Sequence, residues 1–372
     1  MRAESLRVSA FEVPTSSPEA DGTLAWSSTV LVTVELSAGA GEGATGLGYT
    51  YADVPTAHAV LAHLAKVVFS HDASAVEAIF AEMERKVRNV GRDGIASTAI
   101  AAVDGALWDL RAKQRGQPLA ETLGARRSEI AAYGSGGFTS YSVDELTHQL
   151  SVWKQAGMSR VKMKIGRDPS TLDRIGAARA AIGPDTELFV DANGAYDVKG
   201  ALALAREMTR YGVVWFEEPV SSDDLDGLRF IRERAPTSMR IAAGEYGYTA
   251  RYFDRMLSAG AVDVLQADGT RCGVTGFLRA AALCDARGVE LSAHCAPTLH
   301  AHLGCAAPRM AHVEYFHDHQ RIERMLFDGA AVARKGALRP DPARPGLGVA
   351  LRRSEAEKYL VFDQRVRAGD RR

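Results

Sequence analysis

The sequence is poor in cysteine: four in 372 residues, Cys272, Cys284, Cys295 and Cys305. No pair has C-x-x-C spacing, which removes the usual zinc and dithiol motifs and leaves buried, reduced thiols as the expectation. Charge of one sign is not in excess either. Lys and Arg number 45 against 46 Asp and Glu, a formal net charge of −1. No global field draws the chain to nucleic acid or to an anionic membrane. There is no apolar run of about 18 residues, the length that a membrane-spanning helix needs. Residues 1–14 carry Glu4, Arg7 and Glu12 among their apolar positions, which is not the pattern of a signal peptide. No G-x-G-x-x-G follows an early strand, which argues against a nucleotide-dependent oxidoreductase and against an open doubly wound sheet. These absences point to a cytoplasmic protein whose partner is a small molecule, with no nucleic-acid or membrane partner.

What is present is an ordinary globular composition, 46% hydrophobic and 24% charged. The length suits a barrel of about 250 residues with a smaller companion domain. Residues 1–125 read as α+β. Period-two alternation marks strands at 6–13 and 29–36. Between them, 14–27 is polar and turn-rich and predicts a mobile loop; a Gly-rich loop is predicted over 38–51. Helical patterns follow near 56–70, 73–88 and 97–115. In the last, Ile100, Val103, Leu107 and Leu110 share one face. After Gly124 short apolar strands alternate with helical segments. Strands are predicted near 131–135, 160–165, 187–190, 213–216, 240–243, 262–267, 290–293 and 311–315. About eight such units imply an α/β chain whose parallel strands close into a barrel. The expected division is 1–125, 126–330 as the barrel, and 331–372 as a tail packing back on the first domain.

Barrels of this kind carry their chemistry at the C-terminal ends of the strands. Those ends read Lys162-Met163-Lys164, Asp191-Ala192-Asn193, Glu217-Glu218-Pro219, Gly244-Glu245, Asp268, His294 and Glu314. Three successive strands each offer a carboxylate, and three converging carboxylates cannot all stay ionised without a cation. Oxygen donors suit Mg²⁺. Glu217 and Glu218 face opposite sides of a strand, and spacing does not choose between them. Lys162 and Lys164 point the same way at period two. Near a cation, and near each other, their charged forms are disfavoured, so a Lys can serve as a base. Asp268 can orient His294 through one ring nitrogen while the other moves a proton. The other histidines of this half, His300, His302, His312, His317 and His319, read as loop and helix residues.

At these residues the chain resembles the mandelate racemase subgroup of the enolase superfamily. The N-terminal part of the resemblance lies in Ala99 to Lys113, with Pro118-Leu119 and Leu123-Gly124. Thr122 departs from the apolar residue usual there, and the stretch 268–276 is one glycine short of the usual pattern. The resemblance implies an α+β capping domain, with substrate-selecting loops at about 14–27 and 44–53, over a modified TIM barrel, (β/α)7β. It assigns Mg²⁺ to Asp191, Glu217 and Glu245. Lys164 becomes the base on one face, tuned by Lys162, and His294, held by Asp268, the acid or base on the other. Asn193 would contact a substrate hydroxyl, and Glu314 a carboxylate oxygen. A homo-oligomer is usual in the family. A hydrogen α to a carboxylate is a weak acid, and its removal builds an enediolate that a cation stabilises; Lys or His bases with Mg²⁺ are the superfamily's established pattern. Dehydration of an acid sugar to a 2-keto-3-deoxy acid is the expected outcome. Racemisation or epimerisation of a 2-hydroxy acid is the alternative through the same intermediate.

Overall fold

The computed structural model describes residues 2–38, 44–166 and 168–370. Strands β1 (Ala3–Ala20), β2 (Ala25–Ala38) and β3 (Thr45–Tyr51) form an antiparallel sheet. A strand from the far end of the chain, Leu360–Arg367, pairs with the outer side of β1.

The segment 14–27 is not a mobile loop. It is strand to Ala20 and again from Ala25, with Pro14 opposite Ser28 and Glu19 opposite Trp26. The physical reason lies at Phe11, where the C-terminal strand stops pairing with β1. Beyond that point β1 is an edge, and a proline there forfeits no ladder hydrogen bond. A two-stranded arm therefore extends past the sheet. Likewise residues 45–51 of the predicted Gly-rich loop are strand β3; positions 39–43 of it lie outside the described residues.

Helix Ile95–Gln114 fills the space between this sheet and the barrel. Ile100, Val103, Leu107 and Leu110 are buried as expected, each adding about 1.5–3 kcal/mol. The other face is buried as well, through small residues such as Ala99, Ala102 and Ala106. Closeness demands glycine opposite: a Cβ on Gly48 would lie 2.0 Å from the Ala102 carbonyl oxygen.

Eight parallel strands form the barrel: β4 (Ile130–Gly136), β5 (Arg160–Lys164), β6 (Glu187–Asp191), β7 (Val213–Glu217), β8 (Arg240–Ala243), β9 (Val264–Ala267), β10 (Glu290–Ala293) and β11 (Met310–Phe316). They pair in sequence order, and β11 pairs back with β4, so the sheet is closed rather than open. Helices cross between them. Helix Val143–Gln155 starts with a capping box, in which Ser142 and Glu145 satisfy each other's backbone N–H. Helix His317–Leu326 follows β11 and reaches the sheet: Thr29 Oγ1 donates to Asp318 at 2.5 Å and Tyr49 OH to Glu323 at 2.8 Å. Among the described residues no helix is long and apolar enough to cross a membrane.

Helix Gly269–Arg287 contains the stretch that is one glycine short. It kinks at Gly273, whose φ of 80° is left-handed. A Cβ there would press on Asp104 at 2.8 Å. Asp104 is buried, and it accepts from the Thr275 backbone N–H and hydroxyl, both at 2.8 Å. Burial outweighs those bonds and raises the Asp104 carboxyl to about 7. The folded state thus holds a proton that the unfolded chain releases near pH 4. This contribution to stability is complete below that pH and is lost as pH rises towards 7. Asp104→Asn keeps the shape and removes the titration. We expect its urea midpoint to match wild type at pH 4 and to exceed it at pH 8, by a few kcal/mol at most in free energy at roughly 1.4 kcal/mol per pKa unit. A variant less stable at pH 8 would show that the carboxylate is needed there.

Candidate active site

Strand periodicity builds the site on an aromatic floor. Tyr133, Phe189, Trp215 and His312 point into the barrel and pack on one another, with Phe189 stacked on Trp215 at 4.9 Å between centroids. Two residues further along the same strands come Ser135, Asp191, Glu217 and Glu314, which therefore also face inward, one layer higher. His312 is thus a strand residue of the floor, not a loop or helix histidine.

The upper layer gathers the expected carboxylates. Oxygens of Asp191, Glu217 and Glu245 all lie within 4.8 Å of one another, and all three residues are buried. Lys164 Nζ donates to Asp191 Oδ2 at 2.5 Å. Lys162 Nζ lies 2.5 Å from Glu217 Oε1, 2.8 Å from Glu314 Oε1 and 3.6 Å from Asp191 Oδ2. Trp215 rises from the floor to donate to Glu217 Oε2 at 2.9 Å. The structure thus selects Glu217 as the residue facing the lysines. Glu218 is buried too, with φ at +39°. Burial first, and Glu245 next, raise its carboxyl well above the usual range. Burial and the charge of Asp191 do the same to Glu217.

Without a cation, opposing influences act on Lys164. Burial pulls its pKa down, and Lys162 adds to that, but Asp191 overrides both and the net shift is upward. The same balance raises Lys162, where burial opposes Glu217 and Glu314. The lysines are ammonium partners of the carboxylates in this arrangement.

On the far wall, His294 Nδ1 lies 2.9 Å from Asp268 Oδ2. Burial works against ionisation of Asp268, but the hydrogen bond and charge of His294 hold its pKa below the ordinary value. Asp268 also caps helix Gly269–Arg287, accepting from the Thr270 backbone N–H at 2.7 Å, so its orientation is set from two sides. Asn193 has φ at +45°, its backbone N–H donates to Asp191 Oδ1 at 2.9 Å, and its side-chain oxygen is buried with no hydrogen-bond partner. Glu314 accepts from Ser135 at 2.6 Å and from the Cys295 N–H at 3.0 Å. Burial opposes its ionisation, yet Lys162 holds its pKa well below the usual range.

A cleft of about 370 Å³ opens over Lys164, Glu245, Asp268, His294 and Asn193. The arm of β1 and β2 covers it with Leu24 and Trp26, and β3 contributes Tyr51. Residues not singled out from sequence also line it. Arg271 donates to the Glu245 carbonyl at 2.7 Å and stacks over Tyr246. His319 stacks on Tyr51 at 3.4 Å and accepts from the Ala296 N–H. Cys295 follows His294 and sits, with Ala296, in left-handed backbone at φ 53° and 38°. Two successive non-glycine residues in that region carry strain of the kind that gathers at functional sites. Only the position of Cys295, next to a strand-end histidine, was available as a signal.

The donor set fits a hard divalent cation. Three buried carboxylates converge, burial and mutual repulsion push Glu217 towards protonation, and Glu245 Oε2 is buried without a hydrogen-bond partner. A cation relieves all three conditions at once, and oxygen-only donors match Mg²⁺.

Comparison with known proteins agrees with this geometry. Residues 6–124 match the family model "Mandelate racemase / muconate lactonizing enzyme, N-terminal domain", and residues 145–356 match "Enolase C-terminal domain-like". L-talarate/galactarate dehydratase of Salmonella typhimurium is 31% identical over 74% of this chain and 70% of its own. A crystal structure of that enzyme, liganded with Mg and L-lyxarohydroxamate, superposes with a TM-score of 0.90 at 27% identity, covering 98% of this chain and 94% of the other. The 3,6-anhydro-alpha-L-galactonate cycloisomerase of Streptomyces coelicolor is 33% identical over 83% of this chain and 86% of its own. A mandelate racemase/muconate lactonizing enzyme-like protein from Rubrobacter xylanophilus has 50% identity and a TM-score of 0.94, covering 97% of this chain and all of the other. On these matches and on the barrel that carries the site, the chain belongs to the mandelate racemase/muconate lactonizing enzyme family of the enolase superfamily.

Proposed function

We propose that this chain is a Mg²⁺-dependent hydro-lyase. It removes the proton α to the carboxylate of an acid sugar and expels a hydroxyl from the next carbon, giving a 2-keto-3-deoxy acid. The observation that carries this reading is the placement of two proton-handling groups on either side of one carboxylate cluster. Lys164 ends β5 and His294 follows β10, while Asp191, Glu217 and Glu245 come from the strands between. The dehydratase from Salmonella supports the choice of dehydration, and its structure with Mg supports the choice of cation.

Asp191, Glu217 and Glu245 hold the cation. A Mg²⁺ bound there would supply positive charge beside the substrate carboxylate and beside Asp191, the partner of Lys164. Lys164 Nζ takes the α-proton, and Lys162 lowers the proton affinity of Lys164 through its own charge. His294 Nε2 hands a proton to the departing hydroxyl, with Asp268 fixing the ring. Asn193 presents its unpartnered oxygen to a substrate hydroxyl. Glu314, 2.8 Å from Lys162 Nζ, reaches towards the cleft to hydrogen-bond a substrate carboxylate oxygen.

The arm formed by residues 14–27 and the strand within 44–53 select the substrate in this reading, since they roof the cleft. Residues 1–125 are the cap, 126–330 the barrel, and 331–372 a tail returned to the cap, a division supported by the pairing of Leu360–Arg367 with β1. A cytoplasmic location fits four cysteines that are all free and buried. Light scattering tests the homo-oligomer expected of the family.

The deciding experiment is a panel of mono- and diacid sugars incubated with chelator-treated protein, with and without added Mg²⁺. At least one substrate is expected to yield a 2-keto acid, to stop doing so on chelation and to recover with Mg²⁺. No keto acid from any, together with α-proton exchange of a 2-hydroxy acid, would move the assignment to racemase or epimerase.

A further inference from the structure

A second group of metal-ligand side chains stands beside the Mg²⁺ carboxylates, and the dehydration mechanism does not use it as such. His294, Cys295 and Glu314 are all buried, and each offers a ligand atom within 4.8 Å of the others. Cys295 Sγ lies 3.2 Å from His294 Nε2 and 3.5 Å from Glu314 Oε2; His294 Nε2 lies 3.9 Å from Glu314 Oε2. Tetrahedral zinc with its usual bond lengths requires separations of about 3.6 Å from sulfur to nitrogen or oxygen and about 3.4 Å from nitrogen to oxygen. Each observed edge is within about 0.5 Å of that figure. The three atoms therefore outline one face of a zinc tetrahedron, and two of the residues line the cleft, which leaves the fourth position towards it.

The surroundings suit a ligand set. His294 Nδ1 is engaged by Asp268 at 2.9 Å, which leaves Nε2 as the coordinating atom in the familiar carboxylate–histidine–metal arrangement. Glu314 is fixed by Ser135 and by the Cys295 N–H. Glu245 Oε2, 3.5 Å from His294 Nε2, adds negative charge. Lys162 opposes a cation here, but two carboxylates, Glu217 and Glu314, already lie within 2.8 Å of it. The donor types separate the two sites. Asp191, Glu217 and Glu245 offer only hard oxygens, whereas a thiolate and an imidazole prefer a borderline-soft ion.

We propose that His294, Cys295 and Glu314 form an inhibitory site for Zn²⁺ and similar thiophilic divalent cations, distinct from the Mg²⁺ site. Binding exchanges the Cys295 thiol proton, released to water, for a sulfur–metal bond, with no change of oxidation state. The ion occupies His294 Nε2, the nitrogen that carries the proton to the leaving group. The binding half of the proposal stands on the ligand geometry. The inhibitory half rests on the role read for His294 above.

Co²⁺ is the probe for binding, because a thiolate ligand gives it a near-ultraviolet charge-transfer band that oxygen ligands do not. Full-length protein kept in excess Mg²⁺ is titrated with Co²⁺. The band is expected to saturate at one equivalent, to be displaced by Zn²⁺, and to be missing from Cys295→Ser. His294→Asn should weaken Co²⁺ binding by at least about tenfold, the scale on which ligand-shell losses act. Cys305→Ser, altered outside the cluster, should keep the band. A wild-type protein without the band, or a Cys295→Ser protein that retains it, would overturn the site. On an identified substrate, Zn²⁺ should inhibit at fixed excess Mg²⁺, with an inhibition constant raised at least about tenfold in Cys295→Ser. Co²⁺ binding without inhibition would leave the site standing and would remove the role of His294 instead.

Discussion

Replacing His294 with Asn is expected to stop keto-acid formation while leaving α-proton exchange in place. The two steps use different walls of the cleft. Lys164 approaches from β5, whereas His294 stands after β10, locked to Asp268 at 2.9 Å. An Asn amide can still donate to Asp268, so the fold of the wall is kept, but it cannot deliver a proton to a leaving hydroxyl. A positioned acid or base contributes about 10² to 10⁴ in rate. Dehydration should fall by at least about that range. Proton NMR in deuterated water, on a substrate found by the acid-sugar panel, reads both steps at once: loss of the α-proton signal and appearance of product. A variant that dehydrates within tenfold of wild type has no need of His294 as the acid.

Lys164→Ala is expected to abolish both exchange and dehydration, by about 10³-fold or more, since Lys162, its neighbour on that wall, is tied to Glu217 and Glu314. The cluster makes a second outcome distinctive. Asp191 Oδ2 loses its partner at 2.5 Å, and one positive charge leaves a crowded set of carboxylates. Mg²⁺ affinity, measured by calorimetry, should therefore hold or rise while turnover disappears. Loss of turnover together with weakened Mg²⁺ binding would mean that the lysine supports the metal site instead of the proton transfer.

The strand ends were readable because two regularities coincide. Period two fixes which residues share a face, and closure of a barrel brings the ends of distant strands together. From those rules Asp191, Glu245, the lysine pair and Asp268 with His294 could be placed without coordinates. The choice of Glu217 over Glu218 needed the resemblance first and the contacts with Lys162 and Trp215 afterwards. The cap was less legible. Pro14, Pro18 and a run of Ser and Thr look like a loop, and only the stopping point of a strand some 350 positions away makes that stretch a free edge. Cys295 and His319 reach the cleft through left-handed backbone and ring stacking. Neither leaves a periodic trace. The direction of the Lys164 shift was also hidden, since it depends on how closely Asp191 first, and then Glu245 and Glu314, approach the ammonium, which no spacing specifies.

The arm of β1 and β2 belongs to a sheet that shares no strand with the barrel. The residues that roof the cleft and the residues read as proton carriers therefore stand on separate sheets. Mutation at exposed arm positions such as Leu24 reshapes the roof, whereas Gly22, where a Cβ would lie 2.2 Å from the Ala192 carbonyl oxygen, ties the arm to the strand ends. Under the reading proposed above, a change in the roof alters which substrate fits, and a change in the strand-end layer alters what is done to it.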